Sequence, residues 1–121
     1  MKLEILPYDL TVCKVKDVKA VNTDAEFFFL GRTDEEISLV CVTADTPVDA
    51  AEREDGWRGF RIVGTLDFSL VGILAKLSGI LAEQQIGIFA VSTCNTDYIL
   101  VKKNSFDRAI SVLKSAGYTI E

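Results

Sequence analysis

The sequence predicts an α+β fold of two ferredoxin-like units in tandem, with the element order βαββαβ, antiparallel sheets and helices on one face. Short apolar runs with the alternation of strands recur along the whole chain, whereas long helical periodicity occurs only in the second half. No stretch rich in serine and glycine separates the halves, so we expect them to share an interface or one sheet. We therefore predict a degenerate first unit at residues 1–57 and a complete unit at residues 58–121.

The second half contains the clearer pattern of elements. One helix is predicted from apolar residues at positions 70, 73, 74, 77, 80 and 81, which follow the spacing of a single buried face. The second predicted helix has an inner stripe of Phe106, Ala109, Ile110 and Leu113, and Gly117 is expected to end it. The elements expected in order are a strand at 57–64, a helix beginning near Ser69, strands at 86–94 and 98–102 joined by a two-residue turn at Asn95-Thr96, a helix beginning at Asn104 or Ser105, and a strand at 118–120.

The first half predicts strands and no long helix. The run from Phe27 to Leu30 is too apolar for an exposed strand, so we expect burial on both of its faces. Thr46 and Pro47 have the chemistry of a helix start, which predicts a brief helix over residues 46–52. Strands are expected at 1–6, 8–15, 27–32 and 37–43, the last two forming an antiparallel hairpin.

Charge and composition restrict the partners of this chain. Its 121 residues carry a net charge of −5 without a basic cluster, which argues against nucleic acid and against anionic membranes. No signal peptide and no run of about 20 apolar residues is present. The three cysteines are odd in number and lie in apolar, strand-like runs, as is typical of reduced thiols in a cytosolic protein. We expect a cytoplasmic protein.

The residue types needed for most enzymatic chemistry are missing. The chain has no histidine, which removes the commonest general base and metal ligand, and it has no Cys-x-x-Cys pair. Asp67 and Asp97 are possible acid–base groups, but no oxyanion donors, metal or nucleophile accompany them. We expect no cofactor, no metal and no catalytic activity, and an unrecognised enzyme remains the weakest of the alternatives.

The start of the first helix has features of a small-molecule site. Ser69 can cap the helix, and Gly72 leaves the backbone bare so that another group can approach. Backbone N–H groups at a helix start can receive a carboxylate, while Asp67 and Asp97 can hold an ammonium group. Together these charges suit a zwitterionic amino acid. The alternative is that Asp67 and Ser69 only cap the helix and that residues 95–97 only form a turn, and the residues alone favour this alternative.

Residues 57–117 resemble an ACT domain, of the branch found in CASTOR-type arginine sensors and in small bacterial proteins with two ACT-like units. The segments that carry the resemblance are Gly56-Trp57-Arg58, Leu66-Asp67-Phe68-Ser69-Leu70-Val71-Gly72-Ile73-Leu74, Ile88-Phe89-Ala90-Val91-Ser92-Thr93, Asp97-Tyr98-Ile99-Leu100-Val101-Lys102 and, in the first half, Glu36-Ile37-Ser38-Leu39-Val40.

The resemblance implies regulatory binding of a small ligand, usually an amino acid, between ACT units. Carried over by position, the ligand-binding residues are Asp67, Ser69, Leu70, Gly72 and Ile73 in the strand–helix loop, Thr93, Cys94 and Asp97 at the rim after the next strand, and Ser38 and Leu39 from the first unit. Leu70 stands where the arginine sensors use an acidic residue, which argues against arginine as the ligand. The eukaryotic sensors also have more ACT units than the two expected here, so a comparable site calls for a homodimer.

The resemblance and the residues together predict a non-catalytic regulatory sensor. It is expected to bind an amino acid and to form a homodimer, and a regulated protein partner is a further expectation. The alternative is a protein–protein interaction or dimerisation module that uses the same sheet edges and helix start and binds no ligand.

Overall fold

The computed structural model describes residues 1–64 and 71–121 and has an α+β fold. Two 3₁₀ helices of three residues each lie at Val18–Ala20 and Thr43–Asp45. The strands and α-helices are β1 (Lys2–Ile5), β2 (Leu10–Lys14), β3 (Phe28–Arg32), β4 (Ile37–Val42), β5 (Ala51–Ile62), α1 (Ile73–Glu83), β6 (Phe89–Ser92), β7 (Asp97–Lys102), α2 (Lys103–Ser115) and β8 (Thr119–Ile120).

The chain forms two compact units. The larger unit consists of Met1–Pro7 and Arg58–Glu121, and the smaller unit consists of Tyr8–Trp57. Residues 1–7, which the sequence analysis assigned to the first unit, thus lie with the second, because β1 pairs with strands of the larger unit. It pairs antiparallel with β5 and parallel with β8. Alternation identifies a strand, but it carries no information about which sheet the strand joins.

The larger unit has the expected order from β5 onwards, namely β5, α1, β6, β7, α2 and β8. Its strands lie in the order β6-β7-β5-β1-β8, with β1 placed between β5 and β8. Both helices pack on one face of this sheet, since their buried residues share one core with alternate strand residues. This core contains Leu3, Phe60, Ile62, Leu77, Leu81, Ile86, Ile99, Val101, Phe106, Ala109, Leu113 and Tyr118.

The two helices differ in how well the sequence predicted them. α2 buries Phe106, Ala109 and Leu113, three of the four residues of the predicted stripe, and Gly117 follows it in the left-handed conformation that commonly ends a helix. α1 begins at Ile73, four residues after the predicted start, and Gly72 is its N-cap residue with φ +82°. A residue with positive φ cannot lie inside a right-handed helix, so Gly72 precedes the first turn. Ser69 lies outside the described residues.

The smaller unit contains only strands and 3₁₀ helices. Its strands lie in the order β3-β4-β2-β5, with β5 contributing its first residues, Ala51–Trp57. The predicted brief helix at 46–52 is wrong: the 3₁₀ helix ends at Asp45, and Ala51 already pairs with Lys14 as part of β5. Strand pairing therefore prevailed over the local helix-start chemistry. The core consists of Cys13, Val15, Val21, Leu39 and Cys41.

The aromatic run at the start of β3 is not buried on both faces, contrary to the prediction. Phe27, Phe28 and Phe29 are all half-buried, because β3 lies at the edge of its sheet. The Phe27 ring contacts Tyr8 at a centroid distance of 4.8 Å and Phe29 at 5.2 Å. The run thus forms an aromatic cluster at a sheet edge, a position that apolar composition alone does not distinguish from a central strand.

Candidate functional site

A cavity of about 300 Å³ lies at the start of α1, within the larger unit. A side chain at Gly72 would meet no atom within 4 Å, so the backbone here faces open space. The positive φ of Gly72 is the feature that favours glycine at this position. The cavity is lined by Met1, Val71, Gly72, Ile73, Lys76, Ala116, Gly117 and Tyr118.

The electrostatics of this cavity favour a negative group. The hydrogen bonds of α1 begin with the Lys76 amide, which donates to the Gly72 carbonyl oxygen at 2.9 Å. The amides of residues 73–75 come before that bond, and N–H groups at this end of a helix have no acceptor within the helix. They carry the positive end of the helix dipole, and the Lys76 side chain adds a positive charge. A carboxylate is among the anionic groups that fit this combination.

The rest of the cavity wall is largely apolar. Val71 is 89% exposed, and Ile73 is half-buried beside it. Tyr118 is buried, and burial raises the pKa of its phenol, so the ring stays neutral at physiological pH. The cavity therefore offers a positive end and apolar walls, which suit a small carboxylate with an apolar body.

The predicted rim residues lie together in the loop between β6 and β7. Ser92 pairs with Asp97, so the loop comprises Thr93–Thr96 and is longer than the two-residue turn predicted from the sequence. The Thr93 hydroxyl donates to the Thr96 carbonyl oxygen at 2.9 Å and accepts from the Thr96 amide at 3.3 Å. Cys94 is exposed, and Asp97 is half-buried at the start of β7. The Thr93 main-chain N–H also donates to the Thr96 carbonyl oxygen, at 2.9 Å, so the main chain and the hydroxyl of Thr93 together close the turn.

A second cavity, of about 280 Å³, lies in the larger unit beside this loop. The Thr96 hydroxyl donates to the Ile62 carbonyl oxygen at 2.8 Å and fixes the loop to the end of β5. The cavity is lined by Glu4, Arg61, Ile62, Val63, Gly64, Asn95, Thr96 and Tyr98. Glu4, Arg61 and Tyr98 were not among the site residues predicted from the sequence, although an arginine between the apolar residues Phe60 and Ile62 indicates a polar position on the other face of the strand.

The predicted site residues therefore fall into separate groups. Asp67, Ser69 and Leu70 lie outside the described residues. Gly72 and Ile73 line the cavity at α1, and Thr93, Cys94 and Asp97 belong to the β6–β7 loop and its end. Ser38 and Leu39 lie in β4 of the smaller unit, where Leu39 is only 1% exposed and belongs to the core.

Other chemistry receives little support from the described residues. Cys13 and Cys41 are buried, and burial raises the pKa of both thiols, which keeps them protonated and unreactive. Residues 1–64 and 71–121 contain no group of three histidine, cysteine, aspartate or glutamate side chains that could hold a metal ion. In the same ranges, no helix has the length and apolar character needed to cross a membrane.

The ACT domain family model matches residues 52–115, which is more than half of the chain. The chain belongs to the ACT domain family. Domains of this family are generally regulatory domains that bind small molecules. Comparison with curated proteins gives no match.

Solved structures share the fold of the whole chain. A protein from Agobacterium tumefaciens has 30% sequence identity and a TM-score of 0.86, covering 99% of this chain and 91% of its own. A Vibrio cholerae protein of unknown function, described as a possible transport protein, has 20% identity and a TM-score of 0.76, covering 92% and 85%. The aspartate kinase of Clostridium acetobutylicum, described as an allosteric enzyme, has 15% identity and a TM-score of 0.66, and the match covers 89% of this chain but 33% of the kinase. The latter two likenesses concern the fold alone.

Proposed function

We propose that this protein is a non-catalytic cytoplasmic regulator that binds a small amino acid. The observation that carries the proposal is the open cavity at Gly72, which lies at the first helix of a domain whose family binds regulatory ligands. The ligand carboxylate is held by the first amides of α1 and by Lys76, and its side chain lies against Val71 and Ile73. In this proposal Asp67, Ser69 and Leu70 complete the site, and Asp97 forms a salt bridge with the ammonium group.

We further propose that the smaller unit is a degenerate ACT unit and that the chain is a tandem protein of the branch resembling CASTOR-type sensors. When the strands of each unit are numbered in chain order, those of the smaller sheet lie in the order second, third, first, fourth. The larger sheet follows the same order once β1 is set aside. The two 3₁₀ helices occupy the positions in the chain that helices take in the order βαββαβ. The homodimer belongs to the same proposal.

Thermal denaturation in the presence of each of the twenty common amino acids tests this function. A ligand at about 100 times its Kd stabilises the folded protein by roughly 2.7 kcal/mol, which is a shift of roughly 10 °C for a chain of this size. Lys76→Gln should reduce the shift, because it removes the cation at the cavity. Lys114→Gln is the matched control, since it removes a lysine from the last turn of α2 and should leave the shift unchanged.

Two outcomes would contradict the proposal. The first is that no amino acid raises the melting temperature of the protein. The second is that Lys76→Gln and Lys114→Gln reduce the shift equally, which would indicate a general effect of charge and not a site. If a co-purified protein raises the melting temperature where amino acids do not, the interaction-module alternative is correct.

A further inference from the structure

A row of polar side chains crosses the face of the larger sheet opposite its helices. Leu3, Phe60 and Ile62 point into the helical core, and so does Ile99. Because successive strand residues point to opposite faces, the neighbours of these residues lie on the other face. These neighbours are Glu4 on β1, Arg61 on β5 and Tyr98 on β7, and Glu4 is directly opposite Arg61 in the β1–β5 pairing.

The Arg61 guanidinium lies at the centre of this row. Its Nε donates to Glu4 Oε1 at 2.7 Å, and its Nη2 forms an ion pair with the same oxygen. Hydrogen bonds with Tyr98 and with Glu4 raise the pKa of Arg61. A guanidinium carries more N–H donors than these contacts use, and both charged side chains are about two-fifths exposed, at 41% and 42%. Arg61 and Glu4 both line the adjacent cavity, so the guanidinium can be reached from it.

The cavity of about 280 Å³ brings further donors to the same place. Asn95 contributes a side-chain amide from the β6–β7 loop. Gly64 has φ +98°, and a side chain there would meet nothing within 4 Å, so the main chain after β5 is open on this side. The volume is at the lower limit of the range of about 300–1,000 Å³ in which drug-sized ligands bind, so it has room for a small ligand.

We propose that this cavity binds a small oxyanion, a carboxylate or a phosphate group, on Arg61 with the Asn95 amide as a second donor. The planar guanidinium of arginine matches the arrangement of such oxygens. Glu4 holds this guanidinium in position and reduces the net positive charge of the site. This site is separate from the cavity at Gly72 and does not rest on the proposed function.

Titration of ¹⁵N-labelled protein with sodium phosphate and with sodium acetate, at constant ionic strength, tests the proposal by NMR. Saturable changes in the amide signals of residues 61–64 and 95–98 are expected with at least one anion, and the pair of titrations distinguishes phosphate from carboxylate. Arg61→Gln should weaken binding by about tenfold or more, because a charge-assisted hydrogen bond is lost. Arg108→Gln is the matched control, since it removes the same charge from an exposed position on α2.

Glu4→Gln is the most discriminating variant, because it should strengthen anion binding whereas Arg61→Gln should weaken it. Removing the negative charge next to Arg61 should strengthen anion binding by about fourfold, as expected for charges about 5 Å apart in water. Weaker anion binding in Glu4→Gln would overturn the proposal, and so would the absence of saturable changes at these amides. Equal losses in Arg61→Gln and Arg108→Gln would also overturn it. If Arg61→Gln does not fold, Glu4→Gln and Arg61→Lys keep the test decisive.

Discussion

Replacing Gly59 with alanine tests the packing of the larger sheet. A Cβ atom at Gly59 would lie 3.0 Å from the Ile99 carbonyl oxygen and 3.3 Å from the Cδ1 atoms of Leu100 and Leu6. The oxygen belongs to the main chain of β7 and cannot rotate away, so the strands must separate. Overpacking of this kind costs about 1–3 kcal/mol. For a chain of this length that is a fall in Tm of roughly 4–12 °C, measurable by circular dichroism.

Gly31→Ala is the matched control for this experiment. Gly31 also lies in a strand, β3, but a Cβ atom there meets no atom within 4 Å. The variant should be neutral or stabilised by about 0.5 kcal/mol, because alanine restricts the unfolded chain more than glycine does. Equal stabilities for Gly59→Ala and the unaltered protein would refute the close approach of β5 and β7.

Substitutions at three further positions test local features of the fold. Gly72→Ala should lose about 1–2 kcal/mol of stability in urea denaturation, because alanine is strained at φ +82° even though its side chain has open space; an unchanged midpoint would contradict this backbone conformation. Thr96→Val should cost about 1–3 kcal/mol by leaving the Ile62 carbonyl oxygen without its donor, whereas Thr96→Ser should recover most of the loss. Burial raises the folded-state pKa of Cys13 and Cys41 above the ordinary 9.0. These thiols therefore contribute fully to the stability of the fold below pH 9, and the contribution is lost as the pH rises through the raised pKa. Cys41→Ala should therefore lose less stability than the unaltered protein between pH 8 and pH 11, as measured by urea denaturation across that range; equal losses would refute the burial of this thiol.

The sequence predicted those elements whose signal is local. The stripe of Phe106, Ala109 and Leu113 was sufficient to predict α2, because the apolar residues that repeat at helical spacing are the ones that the helix buries. The partners of β1 could not be predicted, since they depend on pairing between residues far apart in the chain. The helix predicted after Thr46 failed for the same reason, because pairing of Ala51 with Lys14 is a long-range contact.

The candidate sites show the same division. The open backbone at Gly72 follows from a glycine close to a predicted helix start, and the structure places a cavity there. The group of Glu4, Arg61 and Tyr98 could not be found from the sequence, because it depends on the register between β1 and β5 and on the adjacency of β5 and β7. Site residues from one segment of the chain can thus be predicted from the sequence, whereas residues brought together from different strands of a sheet cannot.

An NMR titration with the amino acid that most raises the melting temperature is the most direct test of the proposed function. Saturable changes should include the amides of residues 71–76 and 116–118, which surround the cavity at the start of α1, and Lys76→Gln should weaken them. Changes elsewhere that leave these amides unaltered would show that this corner of the molecule is not the place where a ligand binds.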